Sequence, residues 1–262
     1  MRFQDAAPDA RHVVYAGIQA DPLVGRVAAL LADANLGQRL MARAVMNGQR
    51  TDPSTWRAIF PSLFVPSGDP SGAPSGPPSG PASQRSEALL EACLAVAERG
   101  EQARSQYRGA IVESLAALLL ARRSGAVRRE RRILFDGVRA EIHPYDVTVE
   151  EPGSAEVYDC KWGARGINAE VLDQLDDARR HAADEGEPLV VALVVFDARR
   201  SCLVRLARQT VRREGIGLVT IETLDRLARR RVQPRGPTEP PGSTSAGGTP
   251  ADSSPMPGSS SR

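Results

Sequence analysis

The run Pro188 to Asp197, PLVVALVVFD, constrains the fold more than any other stretch, because it is a continuous apolar strand with no alternating polar positions. Such a strand must be covered on both faces, which places it inside a sheet layered between helices. The flanking segments supply those layers. Upstream, SEALLEACLAVAERGEQARSQYRGAIVESLAALLLARRSG reads as helix, with Gly100 and Gly109 as candidate interruptions and Gly125 as a stop. RRILFDGVRAEIHPYDVTVEEPGSAEVYDCKWG then alternates strand-like runs with Asp-Gly and Glu-Pro-Gly-Ser turn chemistry, which predicts an antiparallel three-stranded meander. NAEVLDQLDDARRHAADEG is a helix with Asn168 as its cap. After the apolar strand come SCLVRLARQTVRREG as helix, IGLVTIE as strand and TLDRLARRR as a last helix. The order α-β-β-β-α-β-α-β-α makes an α/β fold, a mixed central sheet flanked by helices.

Two segments cannot build a core. Pro66 to Ser83 repeats Pro-Ser-Gly, and Pro234 to Arg262 has the same composition. Both read as flexible chain, and the second as disordered. The expected organisation is therefore a small helical N-terminal module over 1–65, a linker over 66–84, an α/β domain over 85–232 and a tail over 233–262. In the first part, DPLVGRVAALLADANLGQRLMARAVMNG repeats apolar residues at three and four, and DPSTWRAIF has an Asp-Pro helix start with Trp56 and Phe60 on one face. That module carries no catalytic cluster and reads as a docking or oligomerisation element, for a protein partner or a second copy.

Net charge is only +2 across 262 residues, so any nucleic-acid field must be local. Cys93, Cys160 and Cys202 are too widely spaced for a disulfide framework or a zinc pattern, which points to a reducing cytoplasm. No opening leader and no membrane span is expected, since there is no apolar run of about 18 residues.

The basic residues are lopsided: of 34, all but Lys161 are arginine. Arginine is a planar fork that stays protonated, whereas lysine is a compact ammonium able to approach one oxygen. A lysine kept against that bias marks a place where a guanidinium does not serve. Lys161 and Asp159 lie two apart on the third predicted strand and share a face. Asp146 opens the neighbouring strand, where it can converge on Asp159. Two carboxylates that close repel unless a cation lies between them, and oxygen ligands of this kind suit Mg²⁺ or Mn²⁺. Glu113 sits inside the apolar helix run AIVESLAALLLA, where a carboxylate facing inward costs several kcal/mol unless paired or bound. Glu101 is the alternative helix acid, and His143 lies close to Asp146 in sequence.

A helix Glu, a strand Asp and an Asp-x-Lys on the next strand resemble the PD-(D/E)xK nuclease superfamily, whose restriction-endonuclease-like core is α-β-β-β-α-β. The resemblance covers roughly Tyr107 to Glu222. It implies a Mg²⁺- or Mn²⁺-dependent phosphodiesterase, an endonuclease acting on DNA in preference to RNA, in defence, repair or recombination. It also implies roles: Asp146 as metal-bridging acid, Asp159 as second ligand, Glu113 as helix acid, the Cys160 carbonyl as a backbone ligand and Lys161 as the catalytic lysine. Gln174 matches the first half of a Q-x-x-x-Y signature found in some members, with Ala178 at the tyrosine position. Arg128, Arg129 and Arg165 are candidate phosphate contacts, and Trp162 a candidate base stacker. The alternative is the same fold without catalysis, as a nucleic-acid-binding or protein-interaction module.

Overall fold

The computed structural model describes residues 1–6, 10–64, 80–139, 143–209 and 214–229. Strand β1 (Arg2–Asp5) is followed by helices α1 (Ala10–Gln19), α2 (Pro22–Ala32), α3 (Leu36–Asn47) and α4 (Pro53–Ile59). Next come α5 (Pro81–Ala97) and α6 (Glu101–Ala121), then β2 (Val127–Phe135), the two-residue β3 (Val138–Arg139), β4 (Tyr145–Glu151) and β5 (Ser154–Lys161). The described chain ends with α7 (Ala169–Asp184), β6 (Leu189–Val195), α8 (Arg199–Ala207), β7 (Ile216–Thr220) and a 3₁₀ turn at Leu224–Arg226.

Local chemistry accounts for most boundaries. Asp21 and Asp52 each cap a helix that begins with proline, and Asn35 and Gln38 form a reciprocal capping box on α3. Asn168 accepts from the Val171 amide and starts α7 as expected. Asp136 and Gly137, both with positive φ (48° and 79°), close the tight turn between β2 and β3. Gly100 separates α5 from α6, but Gly109 interrupts nothing and lies inside α6.

The sheet runs β1-β2-β4-β5-β6-β7, with β3 pairing β2 outside that path. Pairs from β1 to β5 are antiparallel, and β5-β6 and β6-β7 are parallel. The apolar strand is β6, and its residues divide between two cores: Ala192 and Val194 on one face, Val191, Leu193 and Val195 on the other. Helices α2, α3, α5 and α6 cover the first face and α7 the second. Leu115, Leu119 and Leu120 of α6 are buried to the last percent, each worth about 1.5–3 kcal/mol of transfer free energy.

Four expectations change. The N-terminal part is not a helical module alone, because β1 pairs with β2 at the sheet edge. Nor does it stand apart: buried side chains of α2 and α3 share one core with α5 and α6, and Met1–Arg230 forms one compact unit. The expected linker overlaps α5, which begins at Pro81; the Pro/Ser/Gly residues 65–79 and the tail from 230 onward lie outside the described residues. The expected last helix is the 3₁₀ turn Leu224–Arg226. No helix among the described residues is long and apolar enough to cross a membrane.

Candidate active site

The site lies where β4 and β5 part. Their ladder runs from Glu151↔Ser154 to Val147↔Tyr158, and the next pair in register would be Asp146 and Asp159. There the Cys160 amide donates to the Asp146 side chain (Oδ2, 2.5 Å). A carboxylate thus takes the hydrogen bond where the backbone ladder stops. Strand β2 is distorted at the same level. Glu130 lies between the pairs Arg129↔Val147 and Arg131↔Tyr145, opposite Asp146, and has φ of 51°, unusual for a residue with a side chain. Residues an even number apart on a regular strand share a face. Yet Val127 packs on one core and Ile133 on the other, as do Val147 and Tyr145. Both strands therefore turn over at Glu130 and Asp146.

Asp159 and Lys161 share a face of β5 as the spacing predicts, and Lys161 Nζ lies 2.5 Å from Asp159 Oδ1. Asp159 is buried and Lys161 half-buried. The backbone of Gly166 lies against the lysine stem so closely that an added Cβ would meet it at 2.9 Å, which holds the side chain toward the acids. Asp146 keeps some accessible surface but is densely surrounded. Its carboxyl is pushed well above the usual range by desolvation first, then by the charges of Asp159 and Glu113; Lys161 and the Cys160 amide oppose this only partly. Burial likewise raises Asp159, against the pull of Lys161. For Lys161, burial alone would lower the pKa, but Asp159 and Asp146 outweigh it and raise it, so the group is an ammonium rather than a base. The buried Cys160 thiol is raised well above its usual value by desolvation and the neighbouring acids, which suits an inert thiol.

Glu113 is 5% exposed on α6 and faces this cluster. Its oxygens accept from the Tyr15 hydroxyl (Oε1, 2.5 Å) and the Gln19 amide (Oε2, 2.7 Å), and the same Gln19 nitrogen donates to Glu130 (Oε1, 3.0 Å). Desolvation raises Glu113, Tyr15 and Gln19 counter it, Glu130 adds to it, and Arg129 counters it. Arg129 is half-buried on β2, with Nε and Nη2 shielded from solvent and without hydrogen-bond partners among the described residues.

Among the described residues, no group of three or more His, Cys, Asp and Glu side chains is placed to hold a metal ion. The Glu113 carboxylate is held by α1, each oxygen accepting one hydrogen bond from it. Two carboxylates still fit a small hard cation, since Mg²⁺ takes one or two and keeps its remaining waters. Their shared upward shift is the imbalance that a cation reverses.

Other expected residues fall elsewhere. Gln174 is buried on α7, where its amide donates to the His143 carbonyl (2.9 Å) and accepts from the His143 amide (3.3 Å). It clamps the backbone leading into β4 and does not touch the acids. Trp162 stacks on Phe196 (centroids 4.9 Å apart) and donates to Asn47 Oδ1 (2.7 Å), so its ring is a core contact rather than a free stacking platform. Arg128 and Arg165 are exposed. Glu101 pairs with Arg104 and Arg108 at the start of α6, away from the strands. The exposed His143 ring faces Glu170 at 3.4 Å. Tyr15, Gln19 and Glu130 were missed. One sign was available: Gly109, inside a helix, suggested a close approach by another group, and that group is Tyr15.

Fold and site together define an α/β protein with N-terminal helices, a mixed sheet flanked by helices and an acid-rich cluster at its split strands. No protein-family model and no curated protein matches the chain. Among solved structures it has a distant likeness to protein VC1899 from Vibrio cholerae, at 15% identity and a TM-score of 0.40, covering 87% of this chain and 56% of that one. The chain thus spans little more than half the length of that protein.

Proposed function

We propose that the chain is a divalent-cation-dependent nuclease of the PD-(D/E)xK type, hydrolysing phosphodiester bonds in DNA in preference to RNA. The observation that carries this reading is the only lysine of the chain, 2.5 Å from Asp159 on the strand beside Asp146. The order α6-β2-β4-β5-α7-β6 supports it as well, with the acids on the central antiparallel pair. Asp146 and Asp159 would hold Mg²⁺ or Mn²⁺, which when bound lowers the pKa of a coordinated water and neutralises phosphate charge. Asp159 fixes the Lys161 ammonium, which orients the nucleophile and offsets charge on the phosphate. Gln174 and the Cys160 amide set the angle at which Asp146 enters. Arg129, half-buried on β2, sets a positive charge against Glu113.

The test is cleavage of supercoiled plasmid, linear duplex, single-stranded DNA and RNA by the whole chain with Mg²⁺ or Mn²⁺, beside Lys161→Arg and Asp146→Asn. Metal-dependent cutting lost in both variants is the expected result. Cutting that survives in Lys161→Arg removes the role given to lysine. Metal-independent nucleic-acid binding without cutting would replace the nuclease with a binding module.

A further inference from the structure

We propose that Tyr15 and Gln19 are positioning residues of the site: from α1 they hold the Glu113 carboxylate facing Asp146, one layer out from the cation, where it accepts hydrogen bonds from hydration water. This inference rests on the metal-dependent reading above, and it gives the first helix a part in the site.

Four observations converge on it. Both Glu113 oxygens accept hydrogen bonds from one face of α1, from residues four apart, so the carboxylate has one fixed orientation. Gln19 also ties in Glu130, whose left-handed backbone is the kind of local strain that persists only where the surroundings enforce it. Gly109 lies one turn before Glu113, and a Cβ there would come within 2.9 Å of the Tyr15 hydroxyl and 4.0 Å of Glu113 Oε1. A glycine is thus kept in a helix interior where alanine would otherwise be favoured. Finally, Glu130 lies opposite Asp146 in the β2–β4 pairing, so the hydrogen-bonded chain from Glu113 through Gln19 to Glu130 ends beside the split strands. Held by α1 through both oxygens, Glu113 is oriented to organise what the pair binds, as groups behind metal ligands commonly do.

The experiment measures Mn²⁺ affinity of the full chain by electron paramagnetic resonance of free Mn²⁺, with thermal midpoints recorded without metal. Wild type, Tyr15→Phe, Gly109→Ala and, as a control, Asp146→Asn are compared. Positioning predicts that Tyr15→Phe and Gly109→Ala weaken Mn²⁺ binding by about 10-fold or more. Gly109→Ala should do so while its metal-free midpoint stays unchanged or rises, a combination that loss of packing does not produce. Unchanged or tighter Mn²⁺ binding in Tyr15→Phe overturns the proposal, the tighter case meaning that α1 withholds Glu113 from the metal. Wild type that binds no Mn²⁺ overturns the metal-dependent reading and this inference together. Wild type that binds Mn²⁺ while the two α1-directed variants match it overturns this inference alone.

Discussion

Strand β5 carries two buried ionic groups on opposite faces, and they are built differently. At Glu156, Arg123 binds both carboxylate oxygens, Tyr158 donates to the same carboxylate, and Arg123 Nε donates to the Leu227 carbonyl (2.8 Å). One anion faces one cation, with 8% of the Arg123 side chain and 10% of the Glu156 side chain exposed. At Asp159 the numbers do not balance: four carboxyls, Asp159, Asp146, Glu113 and Glu130, gather around two cations, Lys161 and Arg129. Desolvation leaves the carboxyls of Asp146, Asp159 and Glu113 raised. The first group is complete as it stands and ties α6 to the sheet. The second has an excess of negative charge that another cation would relieve. Burial alone therefore does not identify a functional cluster; imbalance of charge within it does.

The contrast is most strongly broken by Arg123→Leu. It leaves Glu156 buried without its cation and should cost about 3–5 kcal/mol in urea unfolding. A loss below about 1 kcal/mol would mean that the pair is not structural. Next in size is the response to Mg²⁺. At about 100 times its Kd the ion should stabilise wild type by about 2.7 kcal/mol, and Asp146→Asn or Asp159→Asn should abolish that gain. If both variants respond like wild type, the ion binds elsewhere.

A smaller effect of opposite sign to the first is expected for Asp146→Asn without metal. Removing one of the crowded acids should stabilise the protein at neutral pH by about 0.5–2 kcal/mol. The direction follows from linkage. A carboxyl raised in the folded state binds its proton more tightly there than in the unfolded chain, where its pKa is about 3.9. Its contribution is fully present below that unfolded value and is lost as pH rises through the raised folded one. Metal-free wild type should therefore gain stability on acidification from neutral pH toward the unfolded carboxylate range, and Asp146→Asn should show less of that gain, read from thermal midpoints across the series. Equal slopes would show that Asp146 is not strained by its neighbours. Trp162→Phe, the smallest change, removes the indole bond to Asn47 and keeps an aromatic ring against Phe196. It should cost about 1 kcal/mol and leave the Mg²⁺ response intact; a lost response would bring Trp162 into the site.

Much of the site was legible because its spacing is short. Asp159 and Lys161 share a face through the strand period, and the turn chemistry between β4 and β5 brings Asp146 beside them. Glu113 stood out as a charge within an apolar helix. Its partners did not, since Tyr15 and Gln19 are 98 and 94 residues away. Gln174 was read from a partial signature, and its work on the His143 backbone depends on how α7 lies against the sheet. Strand β1 escaped detection because Arg2 to Asp5 has no apolar alternation; it is a strand by virtue of the edge it pairs with.

By itself, the sequence determined most of the elements and their local geometry: apolar periods, helix starts at Asp52 and Asn168, the Asp136-Gly137 turn, and an Asp-x-Lys facing one way. These follow from interactions within a few residues, where periodicity and backbone preference act directly. Only the tertiary structure decided that the N-terminal helices share the core, that α1 holds Glu113, and that one charged group on β5 is balanced while the other is not. The physical reason is that charge balance and desolvation depend on which distant segments meet, and contacts between residues about a hundred positions apart leave no local period to read.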